Sequence, residues 1–213
     1  MQIKTFVFNM FAEKTYLIWD ETSKHCAIID AGCFYPDEQA KLSEFIKEHS
    51  LIPTHLLNTH LHLDHIFGNA YVHKTYGLLP QASRADEFLL DSFGEQCHMF
   101  GFPTNEPTVR IGTYLEEGQQ IKIGETEIEI LHIPGHSPGS LAFYIPSQGC
   151  VFSGDALFCG SMGRTDLPGG NYEELLHSIR TKLFTLPPDT IVYAGHDVET
   201  TIGKELRTNP FFQ

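Results

Sequence analysis

Apolar residues in this chain come in short bursts, and most of the bursts have the length and composition of strands. Thr15–Trp19 is a β-branched and aromatic run. Cys26–Ile29 is a shorter one that stops at Asp30-Ala31-Gly32, and Pro53 restarts the chain into Thr54–Asn58. Runs of this kind suit buried strands. Between the last two, Asp37 to His49 sets Leu42, Phe45, Ile46 and His49 on one face with charges elsewhere, the period of an amphipathic helix. A second helix is predicted from about His65 to Tyr76, with Gly77 as its C-terminal cap.

Residues 78–110 show no period, and Phe88, Phe93, Phe100 and Phe102 are scattered among glycines and prolines. The second half returns to strands. Gln120–Ile123 and Glu127–Ile133 alternate apolar with polar, and Leu141–Ile145, Cys150–Ser153 and Ile191–Ala194 are short apolar runs. Asn171 with Glu174 forms a capping box for a helix through about Phe184, and Thr200–Thr208 reads as a closing helix before Pro210. Strands and helices mixed through both halves predict an α/β architecture with layered sheets. No repeat or low-complexity linker divides the chain, so residues 1–213 are expected to form a single domain.

Composition removes several function classes. With 14 Lys and Arg against 27 Asp and Glu the formal net charge is −13, which repels phosphate backbones and anionic lipid heads. Nucleic acid and membranes are therefore not expected partners, and a small-molecule substrate is. No run approaches the roughly 20 apolar residues of a membrane-spanning helix, and the first residues lack a secretory pattern. The 5 cysteines show no C-x-x-C spacing, which argues against a disulfide framework or a cysteine zinc module and for a cytoplasmic location. Cys159 is read as a buried small residue.

Histidine, at 12, carries the chemistry. Thr59-His60-Leu61-His62-Leu63-Asp64-His65 places four possible metal ligands within six residues, and His136, Asp155 and His196 follow later, each set after an apolar strand. Ligands at the ends of core strands converge on one rim of a sheet, where α/β sites lie. His60 and His62, two apart in extended chain, point the same way. Imidazole and carboxylate suit zinc, with iron or manganese as further candidates. Seven ligands are too many for one tetrahedral ion, whereas two divalent ions about 3.5–4 Å apart and sharing a carboxylate would use them all. A structural zinc site would close with four ligands, so the excess points to catalysis. Asp30 and Thr59 could fix a ligand imidazole from behind; a turn carboxylate is an equal reading of Asp30. His25, His49, His55, His73, His98, His132 and His177 are read as ordinary core or surface histidines.

T-H-x-H-x-D-H, P-G-H-S-P-G-S, S-G-D-A-L-F and A-G-H, in this order over nearly the whole chain, resemble the motifs of the metallo-β-lactamase-fold hydrolases. That resemblance implies a four-layer αββα sandwich, with His60, His62 and His136 on one metal, Asp64, His65 and His196 on the other, and Asp155 between them. Gly160–Gly170 and the Thr200–Gly203 and Asn209-Pro210 ending are similar to the glyoxalase II-like branch. This implies a thioesterase that cleaves a small thioester such as an S-acylglutathione with a metal-activated hydroxide, which Asp64 also orients. The chain departs from that branch in two ways. Only 213 − 196 = 17 residues follow His196, too few for its C-terminal helical substrate domain, and Arg164 with Asp166 stands where it places a lysine and a tyrosine. Arg164 could still grip a substrate carboxylate.

Gly163–Asp166 also resembles the persulfide dioxygenases of the same superfamily, which implies a single iron on His60, His136 and Asp155. A metal-binding scaffold without turnover is the non-enzymatic alternative. Residues 78–110 are expected to be a packed insert, with a lid carrying Phe93, Met99, Phe100 and Phe102 as the other reading.

Overall fold

The computed structural model describes residues 1–102 and 108–213. Its first strand, β1 (Gln2–Phe8), pairs antiparallel with β2 (Glu13–Trp19), from Gln2 opposite Trp19 to Phe8 opposite Glu13. β3 (His25–Ile29) follows antiparallel. α1 (Pro36–Glu48) then crosses over to β4 (Ile52–Leu57), which lies parallel to β3. Leu42 and Ile46 of α1 are buried as the period predicts, while His49 stays outside with its ring stacked on Phe45 at 3.9 Å. The predicted helix over 65–76 is two helices, α2 (Leu63–Ile66) and α3 (Asn69–Tyr76). They part at Gly68, whose N–H donates to Ala31 C=O at 2.6 Å and so draws the chain against the loop after β3. Gly77 closes α3 in the left-handed conformation, as expected.

The span read as irregular is largely structured. β5 (Pro80–Ala82), a 3₁₀ turn at Arg84–Asp86, α4 (Glu87–Asp91) and α5 (Phe93–Met99) occupy most of it, and β6 (Thr113–Tyr114) completes a six-stranded sheet in sequence order. Residues 103–107 of the possible lid lie outside the described residues. These elements escape a periodicity reading because they are shorter than the windows in which a period is visible.

The second sheet contains β7 (Gln120–Ile123), β8 (Thr126–His132), β9 (Leu141–Ile145) and β10 (Cys150–Gly154). A small hairpin of β11 (Leu157–Phe158) and β12 (Ser161–Met162) follows. α6 (Tyr172–Ser178) begins at Asn171, whose side chain accepts from the Glu174 N–H at 3.1 Å, and runs into a π-helical turn over Ile179–Leu183. β13 (Ile191–Ala194) joins β10 in parallel. The predicted closing helix starts two residues late, because β14 (Thr200–Thr201) pairs with β13 before α7 (Ile202–Thr208) begins.

The layers follow from which face each side chain takes. In β2, Tyr16 and Ile18 enter a core shared with Phe143, Ile145 and Phe152 of the second sheet, while Leu17 turns outward toward Leu42 and Ile46. Ala142, Tyr144 and Val151 likewise pack outward, against Leu175, Ile179 and Ile202. Helix, sheet, sheet, helix is the order, the αββα sandwich expected from the motifs. Strands buried on both faces read as continuous apolar runs. Among the described residues no helix is long and apolar enough to cross a membrane.

Candidate metal centre

The parallel strands β3, β4, β10 and β13 end at one rim, and the polar segments after them fold over it. Beyond β4, Asn58 holds the turn by donating to the His65 C=O at 3.2 Å and accepting from the Asn69 side chain at 3.0 Å. His60 and His62 precede α2, Asp64 and His65 lie in it, His136 comes from the loop between β8 and β9, Asp155 follows β10, and His196 follows β13. All seven predicted donors meet in one place. The seven histidines read as ordinary are elsewhere in the molecule.

His60 Nε2 and His136 Nε2 are 3.3 Å apart, and His136 Nε2 is 2.8 Å from His62 Nδ1. The tautomers follow from the outer partners. His136 Nδ1 donates to the Arg164 C=O at 2.7 Å, so its Nε2 is a bare lone pair. The Thr59 hydroxyl donates to Asp30 Oδ2 at 2.6 Å, so its oxygen accepts from His60 Nδ1 at 3.1 Å and leaves His60 Nε2 bare as well. Two lone pairs therefore face each other at 3.3 Å, close to the roughly 3.3–3.4 Å edge between two nitrogens on a tetrahedral zinc ion. Burial and the neighbouring imidazoles hold His60 well below its ordinary pKa and His62 down at about 3, which keeps these rings neutral and able to bind a cation.

The second group has opposite electrostatics. His65 Nε2 lies 3.4 Å from Asp155 Oδ1 and 3.8 Å from Asp64 Oδ2, and His196 Nε2 lies 3.3 Å from Asp64 and 3.5 Å from Asp155. His65 Nδ1 donates to Asp30 at 3.0 Å, and His196 Nδ1 to the Phe11 C=O at 3.1 Å. Burial works against charge on His65, but Asp64, Asp155 and Asp30 outweigh it and hold its pKa well above the ordinary value. Burial would raise Asp155, and His65, His196 and His136 instead drive it far below the carboxylate range. The buried His65 Nε2 and Asp155 Oδ1 have no hydrogen-bond partner. Carboxylates and imidazole nitrogens in such contact call for positive charge between them, supplied by protons or by a divalent cation. The donor set thus fits a divalent metal. His60, His62 and His136 converge as one group, and Asp64, His65 and His196 as another.

Asp30 lies behind the cluster, where it also accepts from the Thr59 N–H at 2.7 Å. Arg164 lines the cavity over the cluster, but its exposed guanidinium is already clasped by Asp166 through two 2.7 Å bonds. That cavity, of about 220 Å³, has Phe11, Leu63, Phe100 and Leu167 as apolar walls and Gln96 beside them. Phe93 and Phe102 are buried against Phe34 and Phe67, as a packed insert requires, whereas Met99 and Phe100 remain exposed. Cys159 is only partly buried, contrary to expectation, because the β11–β12 turn leaves its Sγ 3.0 Å from Lys204 Nζ.

Two site residues had no sequence signal. Glu13, wholly buried beneath the second group with one carboxylate oxygen unpartnered, reads in sequence as a polar position at a strand start. Asn9 donates to Gly32 C=O at 2.9 Å and Asp64 C=O at 3.1 Å, tying the β1–β2 turn to the cluster from 55 residues away. Asn9 takes a positive φ of 50°, which asparagine tolerates well, so the turn was the only local hint.

The chain is similar to several known proteins over its whole length. The hydroxyacylglutathione hydrolase GloC of Haemophilus influenzae is 40% identical over 212 residues, covering 99% of this chain and 98% of its own. Among solved structures, the B3 metallo-beta-lactamase BLEG-1 superposes with a TM-score of 0.88 at 32% identity and full coverage of both chains. TTHA1623, solved in a di-iron-bound form, does so with a TM-score of 0.86 at 37% identity, over 98% of this chain and 99% of its own. The sequence pattern that defines the family runs from residue 11 to residue 196, the last of the seven donors. This chain belongs to the metallo-beta-lactamase superfamily.

Proposed function

We propose that the protein is a metal-dependent thioesterase of the glyoxalase II type, which hydrolyses a small thioester such as an S-acylglutathione. The observation that carries this reading is the pair of bare lone pairs of His60 and His136 facing each other at 3.3 Å, with His65 Nε2 3.4 Å from the Asp155 carboxylate, beneath an apolar cavity. His60, His62 and His136 would hold one divalent cation, Asp64, His65 and His196 a second, and Asp155 would serve both. When bound, the cations supply Lewis acidity, polarising a carbonyl and making water acidic enough to act as a nucleophile near neutral pH. Zinc suits the all-nitrogen-and-oxygen donor set, and the di-iron relative supports iron in the same frame.

The chain's own groups do the rest. Asp64, its carboxylate held below the ordinary range by His65 and His196 against the effect of burial, accepts a hydrogen bond from the attacking water and aims it. Phe11, Leu63, Phe100 and Leu167 receive the acyl group and exclude bulk water. Arg164, exchanging Asp166 for a substrate carboxylate, would orient the thiol portion. A thiolate leaving group with a pKa of about 8.5 departs without a proton donor, so no further acid is required of the chain.

Metal analysis of protein purified without added metal, run beside hydrolysis of an S-acylglutathione before and after chelation, tests the proposal. Two ions per chain with chelator-sensitive hydrolysis are expected. One iron per chain with oxygen uptake on glutathione persulfide, or unchanged hydrolysis after complete chelation, would overturn it.

A further inference from the structure

A buried carboxylate outside the seven donors touches both loops that carry the first group. Asp86 ends the 3₁₀ turn before α4 and is wholly buried. Its Oδ2 accepts from the Leu61 N–H at 3.2 Å and from the Ser137 hydroxyl at 2.7 Å, and its Oδ1 accepts from the Gly139 N–H at 2.6 Å. Leu61 separates His60 from His62, and Ser137 follows His136. A side chain at Gly139 would put a carbon 2.6 Å from Asp86 Cγ, so glycine is what lets this loop close on the carboxylate. Ser140 braces the loop again, its hydroxyl accepting from the Ser137 N–H at 3.1 Å.

We infer that Asp86 is a positioning residue that sets the spacing of the His60/His62 loop from the His136 loop, and with it the cation affinity of the first group. This rests on the proposed reading that those three imidazoles hold a cation. The loops come from different sheets, and a backbone bond from Leu141 N–H to Thr59 C=O at 2.7 Å joins them beside the strand ends. One such link leaves the angle between the loops free. Asp86 supplies the second anchor, from a segment that contributes no ligand. Asparagine in its place keeps the volume but turns an N–H₂ toward a donor on one loop or the other, so the anchor fails on one side. Losing a group that orients metal ligands typically lowers metal affinity about 10- to 100-fold.

The test is titration of the metal-free full-length chain with Co²⁺ against a competing chelator, with each equivalent assigned by His62→Ala and His196→Ala. Asp86→Asn should keep the second-group equivalent near its wild-type affinity and weaken the first about 10- to 100-fold. Ser137→Ala, which removes one contact, should weaken it less and in the same direction. Glu205→Gln is the control for general loss of stability. That buried carboxylate also holds three donors, the Gly160 N–H, the Thr200 hydroxyl and the Asn209 amide, but away from the first group. It should lower the melting temperature and leave both affinities alone. Asp86→Asn that titrates like wild type, or that weakens both equivalents alike, overturns the inference. If Asp86→Asn does not fold, an unchanged first affinity in Ser137→Ala does the same. A wild-type chain that takes up no cation at His62 and its neighbours sinks the functional reading itself, a result distinct from either.

Discussion

Asp30 is where a single nitrogen-for-oxygen exchange should separate folding from metal binding. Its backbone has φ of +51°, a conformation asparagine accepts and most residues do not, so Asp30→Asn keeps the turn. In the native chain the carboxylate accepts from Thr59 N–H, Thr59 Oγ1 and His65 Nδ1, at 2.7, 2.6 and 3.0 Å. With the amide oxygen on the Thr59 N–H, the new N–H₂ faces both other partners. His65 must then carry its proton on Nε2, pointing at Asp155. The Thr59 hydroxyl must turn toward His60 Nδ1, which moves the His60 proton to Nε2, pointing at His136. The opposite amide orientation preserves both tautomers but sets N–H₂ against the Thr59 N–H, a buried unsatisfied donor worth about 1–3 kcal/mol. Cation binding must select this second orientation, so affinity falls by roughly 5- to 150-fold at both sites, since about 1.4 kcal/mol is a factor of ten. The first orientation satisfies every hydrogen-bonding group of the apo-protein, so its melting should fall only through the charge that Asp30 helps hold on His65. Calorimetric titration of metal-free protein measures both. Wild-type affinity in Asp30→Asn would refute the tautomer reasoning, as would a loss confined to the His65 side.

A methyl group added by Gly195→Ala falls on Asp155 Oδ1 and within 2.7 Å of His65 Cε1, so folded protein with metal content reduced below one ion per chain is expected by metal analysis. Arg164→Ala should leave the melting temperature within error, as the Asp166 pair is exposed, while raising KM for an anionic thioester about tenfold; an unchanged KM would remove Arg164 from substrate binding. His62 is held at about 3 in the folded chain against about 6.5 when unfolded, so between those values the unfolded state takes up a proton the folded state refuses. Metal-free protein should therefore lose stability as pH falls through that window, and His62→Gln should flatten the slope in denaturant melts. His65 and His196, whose folded pKa values are raised, act in the opposite sense and are common to both proteins.

The donors were legible because they sit where strands stop, and strand ends are visible in sequence as an apolar run meeting His, Asp or Gly. Spacing inside Thr59–His65 was informative for the same reason, since it is local. Asp30 was half legible, being next to a strand end but paired with residues 29 and 35 positions away. Asn9 and Asp86 reach the site through partners distant in the chain, and Glu13, whose carboxylate accepts from the nearby Thr15 hydroxyl, is brought beneath it only by the fold, so nothing beside them in sequence announces the site. β1 was missed because Lys4 and Thr5 dilute its alternation on an edge that is largely exposed. The break at Gly68 was missed because it is imposed by Ala31, not by the helix's own residues.

The donors are spread from residue 60 to residue 196 and drawn from both sheets. A chain emerging from the ribosome presents the paired imidazoles of its first half long before Asp155 and His196 exist to complete the set. Until the second sheet docks, those early histidines are an open chelating motif that any imidazole-binding cation in the cell can occupy. On the proposed reading, correct metallation would have to wait for the second sheet to dock, since Asp155 and His196 come from it.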